Sequence, residues 1–110
     1  MYYITVSNGL LDNKHRKRMG SAVWEFMWIL DKMTKIDTEK GTGLVLGGKP
    51  IKSKEISEDL GVSSRTVRGN LNKLEDNGYI ETTRTPYGSR IKVINAKKVF
   101  QKRAEKIRHL

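Results

Sequence analysis

Three side chains, Arg65, Arg68 and Asn72, have the chemistry and the spacing to contact the edges of nucleic-acid bases. Spacings of three and four residues bring them to one side of a helix. An Arg guanidinium donates two hydrogen bonds to O6 and N7 of guanine, and an Asn amide pairs in the same way with N6 and N7 of adenine. Ser64 precedes Arg65 and Thr66 follows it. Their hydroxyls can form hydrogen bonds with phosphates or with either of these bases. This run therefore predicts a surface that contacts DNA.

A second group of candidate residues surrounds a Pro-Tyr-Gly turn. Two β-rich runs, 79–85 and 90–94, flank this turn and predict a hairpin. Its tip carries Arg84, Tyr87, Ser89 and Arg90. A hairpin tip beside a recognition helix reaches the DNA backbone or the minor groove, where Arg is favoured. We expect the heads of the two arginines to converge near this tip.

The elements that must position these residues are two helices and a tight turn over 53–78. Ser53 is a plausible N-cap for a short helix, and Gly61 ends it in the left-handed conformation that Gly adopts cheaply. Ser63 or Ser64 caps a second helix, whose apolar residues form one stripe: Val67, Leu71 and Leu74. A short helix, a Gly turn and a capped second helix indicate a helix-turn-helix. The hairpin over 79–95 then forms its wing.

The N-terminal half is expected to form a strand, a long helix and a hairpin. Alternation predicts a strand over 2–7, and apolar residues three and four apart predict a helix over 15–35. Trp24 and Trp28 widen the apolar surface of this helix, and we interpret both as core residues. Gly47-Gly48 between the Leu44 run and Ile51 predicts a hairpin.

A basic amphipathic helix is expected over 96–110, with one apolar stripe. This stripe covers the tryptophans of the same chain, or two copies share it across the two-fold axis of a homodimer. Its thin apolar face, with one aromatic residue, argues against membrane binding. The whole chain, 1–110, is thus predicted to be one domain of mainly α, α+β class. It is a winged helix-turn-helix with an extra N-terminal strand and a C-terminal helix.

Charge and composition narrow the classes of function. The net charge is +10, and residues 81–110 carry nine basic and two acidic groups, which points to a polyanion partner. Cysteine is absent, and the two histidines stand near opposite ends of the chain. Neither a metal set nor a nucleophile–base pair can be assembled, so we expect no enzyme, no cofactor and no metal site. No run approaches the ~18–20 apolar residues of a membrane span, and a cytoplasmic, nucleoid-associated location is expected.

The run IKSKEISEDLGVSSRTVRGNLNKLEDNGYIETTRTPYGSRIKV over 51–93 resembles bacterial winged-helix DNA-binding domains of the GntR/MarR general type. With VSNGLL, KHRKRMGSAVWEFMWILDKMT and GLVLGGKPIKSKEI, nearly the whole chain resembles the N-terminal domain of replication initiation proteins, or replisome organisers, of Gram-positive phages and mobile elements. This resemblance implies double-stranded DNA as the partner. The DNA contacts that it implies come from two places: Ser63, Ser64, Arg65, Thr66 and Arg68, and in the wing Tyr87, Ser89 and Arg90.

Several alternatives stay open at this point. The resemblance also implies a helicase or helicase-loader partner, met by a second domain for which this chain is too short. Transcription regulation is the alternative to replication initiation, and a protein-interaction scaffold is a further one. The basic run 14–18 either touches phosphate beside the site or forms a solvated helix start.

Overall fold

A computed structural model describes residues 8–37 and 39–94 of the chain. In this part four α-helices and four strands follow one another: α1 Asn13–Met19, α2 Val23–Asp31, β1 Met33–Asp37, β2 Thr42–Val45, α3 Ser53–Leu60, α4 Ser64–Asp76, β3 Ile80–Thr85 and β4 Gly88–Ile94. Single 3-10 turns occupy Asn8–Leu11, Gly20–Ala22 and Leu46–Gly48. The predicted fold class is confirmed, because a helix-turn-helix leads directly into a β-hairpin. The strand predicted over 2–7 and the helix predicted over 96–110 lie outside the described residues.

The single helix predicted over 15–35 is wrong. Gly20 has φ 54° and ψ −131°, a conformation that ends α1 and that only glycine adopts at low cost. A 3-10 turn then leads into α2, which stops at Asp31. Met33, whose spacing had placed it on the helix, instead begins β1. The helical spacing of apolar residues thus extends past the end of the helix at Asp31. The residues Met33–Asp37 form a strand because they pair with β2.

The sheet is antiparallel throughout and has the strand order β1-β2-β4-β3. The wing is thus half of a four-stranded sheet rather than an isolated hairpin. The hairpin predicted around Gly47-Gly48 is wrong, because β2 pairs with the preceding β1 and with β4. Ile51 forms one isolated bridge with Ser89, in which each backbone N–H donates to the other carbonyl at 2.8 Å.

The hydrophobic core lies between the helices and one face of this sheet. It joins Ile51 to residues of α2, α3, α4 and the strands: Phe26, Trp28, Ile29, Val45, Ile56, Val67, Leu74, Ile80, Ile91 and Val93, among others. Trp28 is a core residue as predicted, and its Nε1 donates to Asp59 Oδ2 at 2.8 Å. Trp24 is 67% exposed, so its interpretation as a core residue is wrong. Trp24 therefore lies on the exposed side of α2, and Trp28 on its buried side.

A carboxyl group is buried where α2 meets α4. Glu25 is 1% exposed, and its Oε2 accepts a hydrogen bond from Asn70 Nδ2. Burial penalises the charged form and raises the pKa of Glu25, and the hydrogen bond from Asn70 only partly offsets this effect. Since the folded chain holds this proton more tightly than the unfolded chain, the contribution of Glu25 to stability is greatest at low pH. This contribution falls as the pH rises from the ordinary pKa of a glutamate through the raised pKa of Glu25.

We therefore expect Glu25→Gln to stabilise the protein at pH 8 and to change little at pH 4. The amide of Gln accepts the hydrogen bond from Asn70 without a buried charge. Urea unfolding at both pH values measures the difference, with Glu55→Gln, an exposed glutamate of α3, as the control. Equal effects of Glu25→Gln at the two pH values would show that Glu25 carries no burial penalty.

Candidate nucleic-acid interface

The turn between α3 and α4 has the geometry predicted for a helix-turn-helix. Gly61 is left-handed, with φ 71° and ψ 32°, and its N–H donates to the Ser57 carbonyl at 2.9 Å. Ser63 caps α4, because its Oγ accepts from the Thr66 N–H at 3.1 Å. Ser53, predicted as the N-cap of α3, is instead its first helical residue. These local bonds fix where α4 starts and how it leaves the turn.

Contacts on α4 divide its surface into four sides, as expected for about 3.6 residues per turn. Val67 and Leu74 face the core. Glu75 faces the wing, since its Oε1 accepts from the backbone N–H and the hydroxyl of Thr82 at 3.1 and 2.9 Å. Asn70 faces α2 on the opposite side. The fourth side is open to solvent and carries Arg65, Gly69, Asn72 and Asp76.

A groove of about 170 Å³ separates α4 from the wing. It brings together four of the predicted site residues, two from α4 and two from the wing: Arg68, Asn72, Arg84 and Ser89. Ser53, Leu71 and Thr82 complete the lining. Two guanidinium groups, an amide and three hydroxyls thus converge on one concave surface. The donors and acceptors match those that phosphates and base edges require.

Hydroxyls of the predicted site cluster at the start of α4. Ser63 and Thr66 are exposed and bonded to each other, with 2.9 Å between their side-chain oxygens. The Ser64 hydroxyl is partly buried and lies 3.3 Å from that of Ser57. Tyr87, 76% exposed, stands at the wing turn, which Thr85 braces by donating to the Gly88 carbonyl.

The two wing arginines do not converge, contrary to the expectation from the sequence. Arg84 pairs with Ser89, whereas Arg90 pairs with Thr83. Successive residues of a strand point to opposite faces, so Arg84 faces α4 and Arg90 faces the outer side of the sheet. There it borders a second, open groove with Glu81 and Lys92. Arg90 is therefore separated from the α4 groove.

Comparison with known proteins finds one family match in this region. Residues 44–90, from β2 to β4, match the family HTH_11, which is described as an HTH domain. The match spans α3, the turn and α4, which form a helix-turn-helix in the structure. The chain is also similar to the phage-like element PBSX protein XkdB of Bacillus subtilis (strain 168). The identity is 40% over 99 residues, which cover 88% of this chain and 36% of the relative.

The chain thus spans about a third of the length of that curated relative. No solved structure matches the chain. Among the residues that the structure describes, no group of three His, Cys, Asp or Glu side chains is placed to hold a metal ion. No helix within 8–37 or 39–94 is long and apolar enough to cross a membrane.

Two polar residues of the groove, Ser53 and Thr82, were not among the predicted site residues. Ser53 lines it because the bridge between Ile51 and Ser89 holds the start of α3 against the wing. Thr82 lines it because it is bonded to Glu75. Neither pairing has a local signal in the sequence, since each joins residues from separate elements.

The separation of the wing arginines leads to a prediction. We expect Arg84→Ala to flatten the slope of log K against log salt for duplex DNA by about one unit, the loss of one phosphate contact. Arg90→Ala serves as the matched control and should retain a slope close to that of the wild type. Titrations of a labelled duplex at four salt concentrations measure both slopes. A larger change for Arg90→Ala would place DNA on the outer face of the sheet.

Proposed function

We propose that this chain binds double-stranded DNA with sequence preference, placing α4 in the major groove and the wing on the flanking backbone. The observation that supports this most strongly is the groove that unites Arg68 and Asn72 of α4 with Arg84 and Ser89 of the wing. Side chains of α4 and of the wing can then contact bases and phosphates of the same duplex. The match to an HTH domain supports the same partner.

The dimensions and the charge of α4 suit this role. Its thirteen residues span about 20 Å, and an α-helix fits the major groove, which is about 12 Å wide. Arg65 and Arg68 lie in its first turns, where the helix dipole also attracts phosphate. The open side ends at the acidic Asp76, so the N-terminal part of α4 is the part that enters the groove.

Selection from a pool of randomised duplexes tests this proposal. We expect enrichment of a short motif, tighter binding to it than to a permuted duplex, and weaker binding to either single strand. Equal affinity for selected and permuted duplexes would contradict sequence preference. A preference for single strands would contradict placement of α4 in a major groove.

We further propose that this binding serves the initiation of DNA replication in a phage or mobile element, in the cytoplasm of its bacterial host. The similarity to a phage-like element protein supports the phage setting. The resemblance of the N-terminal segments to replication initiators supports the replication role. Transcription regulation is the alternative. A plasmid that carries the selected motif should require the full-length protein for replication, whereas repression of a reporter without any replication phenotype would favour regulation.

A further inference from the structure

Residues 18–21 run along the side of α4 that faces away from the wing. The Ser21 hydroxyl donates to Asn70 Oδ1 at 3.4 Å, and Asn77 Nδ2 donates to the Arg18 carbonyl at 3.4 Å. Between them, Lys73 Nζ lies 2.7 Å from the point where a Cβ on Gly20 would stand. The partners run backward from 21 to 18 as α4 runs from 70 to 77. The segment is therefore antiparallel to α4 and in contact with its C-terminal half.

This contact places α1 opposite the wing. Asn70, Lys73 and Asn77 follow one another at spacings of three and four, so they share one side of α4. Arg68 and Glu75, which face the wing, lie on the other side. The open side, with Arg65 and Asn72, lies between the two. The wing and α1 thus lie on the two sides of α4 that border its open side.

The surface that α1 presents is basic. Its inner side is anchored by Met19, which is 2% exposed, and by His15, whose Nδ1 is hydrogen-bonded to the Tyr79 hydroxyl. The other side, at spacings of three and four, carries three exposed cations: Lys14, Lys17 and Arg18. Lys73, also exposed, adds a fourth at the seam with α4. The ion pairs found among the described residues, Lys32–Asp31 and Lys54–Glu58, do not involve these four cations.

The stability of α1 explains only in part why these cations lie together. Because α1 is seven residues long, Arg16, Lys17 and Arg18 fall in its last turn, where cations interact favourably with the helix dipole. That effect is independent of where α1 packs. The position of the cations beside α4, on the edge that the wing leaves free, is a separate observation.

We infer that Lys14, Lys17, Arg18 and Lys73 bind backbone phosphates of the duplex on the side of α4 opposite the wing. The inference rests on the proposed duplex binding and extends its footprint. A duplex that receives α4 in its major groove presents a phosphate strand along each edge of that groove. The wing then contacts one strand and α1 the other. Phosphate contacts carry no sequence information, so they contribute affinity and salt dependence rather than base preference.

The test compares two triple variants of equal charge change. Lys14, Lys17 and Arg18 are replaced together by Gln in one variant, and Lys32, Lys35 and Lys40 in the other. The second set lies around β1, at the edge of the sheet remote from β3. We expect the α1 variant to flatten the slope of log K against log salt by about two to three units. The β1 control should change the slope by less than about one unit. The ratio of affinities for selected and permuted duplexes should stay as in the wild type.

Hydroxyl-radical footprinting supplies a second measurement. The wild type should protect the backbone on both sides of the motif, and the α1 variant should lose protection on one side only. If the α1 variant unfolds, the single change Arg18→Gln replaces it, with an expected flattening of about one unit. A slope that is unchanged, or changed equally by both triples, would overturn this inference alone. A wild-type chain that binds no duplex would overturn the proposed function as well.

Discussion

Replacing Arg68 with Ala is expected to weaken binding to the selected duplex by roughly 1–3 kcal/mol, or about 5- to 150-fold. Arg68 lies on the wing side of α4, beside Asn72 and across the groove from Arg84. A guanidinium there donates two hydrogen bonds to one guanine, and Ala donates none. The preference at one base position should relax at the same time. Titration of a panel of duplexes, each changed at one position, measures both effects.

The control for this experiment is Lys40→Ala, an exposed cation next to β1 that should leave all affinities almost unchanged. Equal losses on selected and permuted duplexes would show that Arg68 contacts phosphate rather than a base. No loss on any duplex would contradict the assignment of α4 as the recognition helix.

Gly88→Ala should cost about 2–4 kcal/mol of folding stability, a large fraction of the total for a domain of this size. Gly88 has φ 133°, a conformation that L side chains rarely adopt. A Cβ there would lie 2.7 Å from the carbonyl oxygen of Ile51 and 2.8 Å from its carbonyl carbon. Both are backbone atoms of the bridge that joins the start of α3 to the wing. They cannot move without breaking that bridge.

Gly69→Ala is the matched control for this substitution. Gly69 lies within α4, and nothing stands within 4 Å of the position of its Cβ. Since Ala is the better helix former, this change should stabilise the protein by up to about 1 kcal/mol. Urea unfolding compares both variants with the wild type. Equal stability of Gly88→Ala and the wild type would contradict the close packing of the wing on Ile51.

The helix-turn-helix could be predicted from the sequence because its signals are local. Gly61, the cap at Ser63 or Ser64 and the stripe of Val67, Leu71 and Leu74 each act within one or two turns of helix. The structure confirms Gly61 and a cap at Ser63, and in the stripe Val67 and Leu74 are buried while Leu71 is partly buried. The wing was predictable for the same reason, since the turn at 86–87 directly joins its two strands. Local signals thus sufficed for the elements that position the predicted site.

Features that depend on how two elements pair or pack escaped prediction. The face on which Arg90 lies depends on the register between β3 and β4, which a shift of one residue would reverse. The end of α2 and the role of Met33 depend on β2 as a strand partner. The burial of Glu25 depends on Asn70, forty-five residues along the chain. In each case the deciding partner lies in another element, so periodicity within one segment carries no information about it.

Amide chemical shifts, followed by NMR during titration with the selected duplex, show directly whether α4 and the wing contact the DNA. We expect the largest changes along the open side of α4 and in the wing, at Arg65, Arg68, Asn72, Arg84 and Ser89. Residues of β1, such as Lys35, should change little. Large changes on the outer face of the sheet, with α4 unaffected, would contradict the placement of DNA in the groove between α4 and the wing.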